Sequence, residues 1–100
     1  MKLQMHSIHF EADQQLADFI QQKVDKLETF YDRVVEGEVF LKHNNSDGIN
    51  TKTVEIKLFV PGATLFSEEN APSFEAAADA AVEAMRRQLK KFKEKQMAHH

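Results

Sequence analysis

Between positions 74 and 92 apolar side chains recur at helical spacing: Phe74, Ala77, Ala78, Ala81, Val82, Met85, Leu89 and Phe92. A helix carrying so long a stripe must cover it, and the preceding sequence supplies a surface whose period is two rather than 3.6. "GEVFLKH" (37–43) alternates Val39 and Leu41 against Phe40 and Lys42, and "TKTVEIKLFV" (51–60) alternates Val54, Ile56 and Leu58 against Thr53, Glu55, Lys57 and Phe59. Both read as strands with one apolar face. "KLQM" adds a short strand with Leu3 and Met5 on one side. Asp13 reads as the N-cap of a first helix over about 14–31, because Leu16, Ile20, Val24, Leu27 and Phe30/Tyr31 follow at helical spacing. "NNSDGIN" (44–50) and "PG" (61–62) read as turns, and "ATLFSE" as a short last strand that "ENAP" breaks. Ser73 caps the second helix, over about 74–95. The order β-α-β-β-β-α predicts an α+β fold: a four-stranded mixed sheet with two helices packed on one face. One hundred residues fit a single domain spanning 1–100.

Composition removes several function classes. There is no cysteine, so no disulfide, thiolate nucleophile or cysteine-based zinc site can form. The first ten residues hold no long apolar run of a secretory signal, and no stretch approaches the roughly 18 apolar residues of a membrane span, which points to the cytoplasm. "HNNSDGIN" places Asp47 and Gly48 as a calcium loop would, but Val54 stands where the closing Glu belongs. His6 and His9 lie an odd number of residues apart in an extended segment and face opposite ways, a poor metal pair. Three glycines make no phosphate-cradling loop, and the serines and histidines show no nucleophile with its base. The sequence therefore predicts no catalytic residue, metal, cofactor or small-molecule substrate.

Charge is the informative feature. "RRQLKKFKEK" (86–95) carries +5 in a chain of formal net charge −3, so the other ninety residues carry −8. With Met85 at zero on a helical wheel, Leu89 and Phe92 lie within about 40°, while Lys93, Arg86, Lys90, Arg87, Lys91 and Lys95 fan from about 80° to 280°. They wrap the solvent side of a helix whose other side is committed to a core. Cations near a helix C-terminus suit its macrodipole, but that effect does not require six of them. Like charges at i, i+4, such as Arg86 with Lys90 and Arg87 with Lys91, weaken an isolated helix. This pattern favours a polyanion-binding face over a merely solvated one. The first helix adds Lys23 and Lys26, with Arg33 just beyond it. Lys23 falls within the apolar stripe beside Leu16 and Leu27, where it snorkels out between the helices. The candidate polyanion-binding set, which the resemblance drawn below turns into an RNA-binding one, is Lys23, Lys26, Arg33, Arg86, Arg87, Lys90, Lys91, Lys93 and Lys95.

The opposite sheet face is open to several readings. Phe40, Phe59 and Phe66 share it with Lys42 and Lys57 if Val39, Leu41, Val54, Ile56, Leu58 and Leu65 face the helices. Aromatics beside lysines suit base stacking, an oligomer contact or the sheet's own cross-strand cluster.

"KVDKLETFYDRV" followed by "VFLK", with "RRQLKKFKEK" near the end, closely resembles the ribosome hibernation promoting factor family, also called ribosome-associated inhibitors or sigma-54 modulation proteins. The resemblance covers nearly the whole chain. It implies binding to the small ribosomal subunit and its 16S rRNA, in the channel for messenger and transfer RNA. It further implies silencing of translation in stress or stationary phase. Lys23, Lys26, Arg33, Arg87, Lys91, Lys93 and Lys95 take the family's basic positions, and Arg86 and Lys90 add charge. The usual Y-A-A-I-D of the second helix reads Glu75-Ala76-Ala77-Ala78-Asp79 here, with the aromatic at Phe74. No second, dimerising domain and no acidic tail follow, so the likeness is to the short promoting form, which helps ribosomes pair, in some bacteria with a small ribosome modulation protein. The alternatives are a double-stranded-RNA-binding-like domain, whose basic residues would begin the last helix where this chain has "PSFEAAAD", and a non-nucleic protein-interaction module using the Phe40/Phe59/Phe66 face.

Overall fold

The computed structural model describes residues 1–44 and 51–98. Four strands and two helices follow in the expected order: β1 (Leu3–Ser7), α1 (Gln14–Asp25), β2 (Glu36–Asn44), β3 (Thr51–Val60), β4 (Ala63–Ala71) and α2 (Phe74–Ala98). The strands lie side by side in sequence order. β1 runs parallel to β2 across the α1 crossover, while β2–β3 and β3–β4 are antiparallel, so the sheet is mixed.

Local chemistry sets the boundaries. Asp13 has an extended backbone and its carboxylate accepts from the Leu16 N–H at 2.8 Å, starting α1. Ser73 Oγ accepts from the Ala76 N–H at 3.1 Å, starting α2. Pro61 and Gly62 close the β3–β4 hairpin, with Gly62 at φ 83° as a type II turn requires. Three boundaries differ from expectation. The α-helical part of the first helix ends at Asp25, and Lys26–Thr29 tighten into a 3-10 turn. The last strand does not break after Glu68: Glu69, Asn70 and Ala71 stay paired with Val54, Thr53 and Lys52, and Asn70 Oδ1 accepts from Thr53 Oγ1. A polar stretch that resembles a loop remains a strand because its partner strand is long enough to pair with it. α2 also runs past 95 to Ala98. Of the turn expected at 44–50, Asn44 belongs to β2 and 45–50 lie outside the described residues.

One cluster of buried residues joins the inward face of the sheet to both helices. Val39, Leu41, Val54, Ile56 and Leu58 meet Ile20, Val24 and Leu27 from the first helix and Ala77, Ala78, Ala81, Met85 and Leu89 from α2. Both helices thus cover one face, as the one-sided stripes required. The three alanines let α2 approach closely, and Ser67 Oγ on β4 donates to the Ala81 carbonyl at 2.9 Å in the buried seam. Each large apolar side chain buried here contributes about 1.5–3 kcal/mol, opposed by the entropy of ordering the chain. Phe74 fills the mouth of the core, its ring stacked on Phe10 at 5.0 Å and edge-on to His43 at 5.3 Å. This cluster gives the displaced aromatic a packing role of its own.

Candidate nucleic-acid interface

The two helices run in step. Lys23 Nζ on α1 pairs with Asp79 Oδ1 on α2 at 2.6 Å, and seven residues further on Phe30 meets Arg86, whose guanidinium lies 5.7 Å from the ring centroid. Their C-terminal ends therefore lie together, where helix dipoles favour cations. The adjacent aromatics that end the first helical segment separate. Tyr31 turns inward, edge-on to Phe92 at 5.6 Å, and Phe30 turns outward and is 44% exposed.

Three shallow grooves meet at Phe30. Lys23, Lys26 and Arg86 line one of about 410 Å³ with Asp79 and Glu83. Arg86, Lys90 and Lys93 line another of about 250 Å³ with Thr29. Arg33 and Lys93 line a third of about 320 Å³ with Glu28 and Asp32. Six of the nine sequence-predicted cations are brought together in this way: Lys23, Lys26, Arg33, Arg86, Lys90 and Lys93. Arg87, Lys91 and Lys95 are exposed but form a separate row on the outer flank of α2. Next to that row, Gln88 Nε2 donates to the Phe66 carbonyl of edge strand β4 at 2.5 Å, so the row faces away from α1.

The cations differ in their commitments. Lys23 snorkels as expected, its ammonium 5.5 Å from the Phe19 ring and bonded to Asp79. Arg86 grips Glu83 with Nε at 3.1 Å and Nη2 at 2.5 Å. That grip holds the Glu83 carboxyl below the usual range and raises Arg86 further. Lys93 Nζ reaches to 3.5 Å of the Phe30 carbonyl. Among the described residues, Lys26, Arg33, Arg87, Lys90, Lys91, Lys93 and Lys95 form no ion pair with a carboxylate. A cation without a carboxylate partner gives up only water and counterions when it meets a phosphate. All nine cations are legible in the sequence, but Phe30 was missed among them. A signal existed in "TFYD", since two consecutive aromatics on a helix cannot both face one core.

The opposite sheet face is more occupied than its sequence implied. His6 stacks on Phe40 at 4.8 Å, with Nε2 3.1 Å from Glu38 Oε2, and Lys57 Nζ lies 5.6 Å from the same ring. Phe40 thus belongs to a cross-strand cluster, while Phe66 remains 45% exposed. Lys42 Nζ pairs with Glu55 Oε2 at 2.8 Å, and Glu55 stands directly opposite Glu68. Burial alone would push the Glu55 carboxyl up, but bonds from Lys42 and Glu68 outweigh it and hold it low. Glu68 is pushed up, first by its hydrogen bond to Glu55 and then by desolvation. No group of three or more His, Asp or Glu among the described residues could hold a metal. No helix there is long and apolar enough to cross a membrane.

Comparison with known proteins adds to this geometry. The family described as sigma 54 modulation protein / S30EA ribosomal protein matches residues 3–97. The chain belongs to that family. Its relatives include a ribosome hibernation promoting factor of Pseudomonas putida, 30% identical over 98 residues that make up 98% of this chain and 92% of the relative. Another, of Escherichia coli and with the same name, is 29% identical over 99 residues, 99% of this chain and 100% of the relative. The solved structure of a ribosomal subunit interface protein from Coxiella burnetii superposes with a TM-score of 0.84 at 18% identity, covering 93% of this chain and 98% of the other. The N-terminal domain of Thermus thermophilus Protein Y superposes with a TM-score of 0.79 at 24% identity, covering 92% and 99%. At these identities the two structures share the fold of this sigma 54 modulation family member and carry no argument beyond it. Family membership makes the chain a hibernation-factor relative that acts by binding rather than catalysis, and it displaces the double-stranded-RNA-binding alternative.

Proposed function

We propose that this protein binds the small ribosomal subunit through 16S rRNA, in the channel for messenger and transfer RNA, and silences translation while ribosomes hibernate in stress or stationary phase. The observation that carries the reading is the convergence of cations from two helices on one end of an acidic chain, most of them without a carboxylate partner among the described residues. Ribosomal RNA presents dense phosphate, and release of its condensed counterions rewards such a surface regardless of base sequence. Lysine serves here as a point charge, and Arg33 and Arg87 can also fork onto phosphate oxygens. The named hibernation factors among its relatives support the same role. We take residues 1–100 as one ribosome-binding domain acting in the cytoplasm, and a small ribosome modulation protein as a candidate co-factor in ribosome pairing.

The test is a salt series of co-sedimentation with purified small subunits, comparing wild type with two charge reversals. Arg87→Glu/Lys91→Glu alters the outer row and Lys90→Glu/Lys93→Glu the groove. All four side chains are solvent-facing, so stability should change by no more than about 0.5 kcal/mol per site. Binding should fall steeply in both, and the log–log salt slope should flatten by roughly 0.7–0.9 for each phosphate that wild type neutralises and the variant does not. Folded variants with unchanged affinity and slope would remove the α2 surface from consideration and leave the Phe66 side of the sheet as the docking face.

A further inference from the structure

The cations alone explain attraction to any polyanion, but they do not explain Phe30. Its neighbour Tyr31 is buried, yet the Phe30 ring stands 44% exposed where three grooves meet. The Arg86 guanidinium lies 5.7 Å from its centroid, and Glu83 fixes that guanidinium with two bonds, so neither group is placed by chance packing. Lys26, Lys90 and Lys93 surround the ring and form no ion pair with a described carboxylate. Duplex phosphate needs no aromatic ring. An unpaired base does, because its π-face stacks on an aromatic or guanidinium plane while lysines hold the flanking phosphates.

We propose that this inter-helical groove takes one unpaired nucleotide of RNA, its base stacked on Phe30 beside Arg86 and its adjoining phosphates held by Lys90 and Lys93. The proposal rests on the RNA-binding reading above and narrows it. The protein prefers single-stranded or flipped-out nucleotides to paired ones, and does so without base-edge readout.

The probe is a uridine hexamer with one central 2-aminopurine, used alone and paired within the stem of a G·C-clamped RNA hairpin that stays double-stranded, each mixed with the full chain at low salt. Wild type should bind the single strand more tightly than the duplex and quench its fluorescence. Phe30→Leu, which keeps an apolar side chain at the site, should weaken single-strand binding roughly five- to hundredfold. It should also abolish the quenching, while leaving duplex binding, the salt slope and the melting curve as in wild type. Phe30→Trp should retain both affinity and quenching. Equal binding of the two probes by wild type, no binding of the single strand, or unchanged quenching in Phe30→Leu would each overturn the proposal. The assay contains no ribosome, so these failures leave the ribosomal reading standing. A chain that binds the hexamer as described but no small subunit would defeat that reading and not this one.

Discussion

At Gly37, on the helix-facing side of β2, an added Cβ would lie 3.1 Å from Leu3 Cδ1, 3.1 Å from Leu58 Cδ2 and 3.3 Å from Met1 Sδ. Leu58 is fully buried and cannot retreat, whereas Leu3 and Met1 are only half-buried. Gly37→Ala should be close to neutral in thermal melts, because the stiffer backbone, worth about 0.5–1 kcal/mol, offsets the tight packing. Gly37→Val should lower stability by about 1–3 kcal/mol, although valine is the better strand former, because its two methyls have nowhere to go. Chemical denaturation of both variants checks this, and a stabilising valine would contradict the packing described. The sequence marked Gly37 only as the start of a strand. That Leu3, Leu58 and Met1 converge on it depends on which strands become neighbours, and no local pattern encodes that.

At the scale of elements, the periods of two and 3.6 were enough to place every strand and helix, because each element buries one face against a single core. They failed where local and tertiary preferences part. The "SEENA" segment is polar and reads as a break, yet pairing to β3 carries it to Ala71. One consequence of that pairing is the Glu55–Glu68 contact, like charges directly opposite on adjacent strands. The raised Glu68 carboxyl holds a proton in the folded state that the unfolded chain has lost, so its contribution to stability falls as pH rises through and above the ordinary carboxylate range. Glu55, held low, acts the other way: its contribution is lost as pH falls below that range. Relieving that like-charge contact, weakened by solvent screening because Glu68 is exposed, Glu68→Gln should stabilise the protein at neutral pH by no more than a few tenths of a kcal/mol. The gain should vanish near pH 4, where Glu68 is protonated anyway, and melts at the two pH values decide it. The candidate site was half legible for a related reason. The sequence shows which residues are cationic and that α2 is wrapped by them. Only the parallel docking of α1 on α2 shows that Lys23, Lys26 and Arg33 line the three adjoining grooves around Phe30 together with Arg86, Lys90 and Lys93, and that Arg87, Lys91 and Lys95 do not.

For the molecule as a whole, the arrangement places two charge effects in opposition. Cations crowded on α2 repel one another, as does the acidic remainder, so added monovalent salt should raise the melting temperature modestly by screening. The same salt should weaken RNA binding by reducing the counterion gain. Melting curves and binding isotherms between about 0.05 and 0.5 M salt, a range across which the Debye length falls from above about 10 Å to well below it, should move in opposite directions. A salt-insensitive melting temperature would mean that the helix surface carries no appreciable self-repulsion. Because most of the basic side chains have no described carboxylate partner, fold and binding draw on almost separate sets of residues, with Lys23 and Arg86 the two that serve both. Substitutions at the remaining basic positions leave the core nearly untouched, while neighbours on α2 couple to one another through their mutual repulsion. Selection can therefore adjust the strength of the RNA interaction one charge at a time, in a lineage whose ribosomes must be released quickly or held long, without renegotiating the fold.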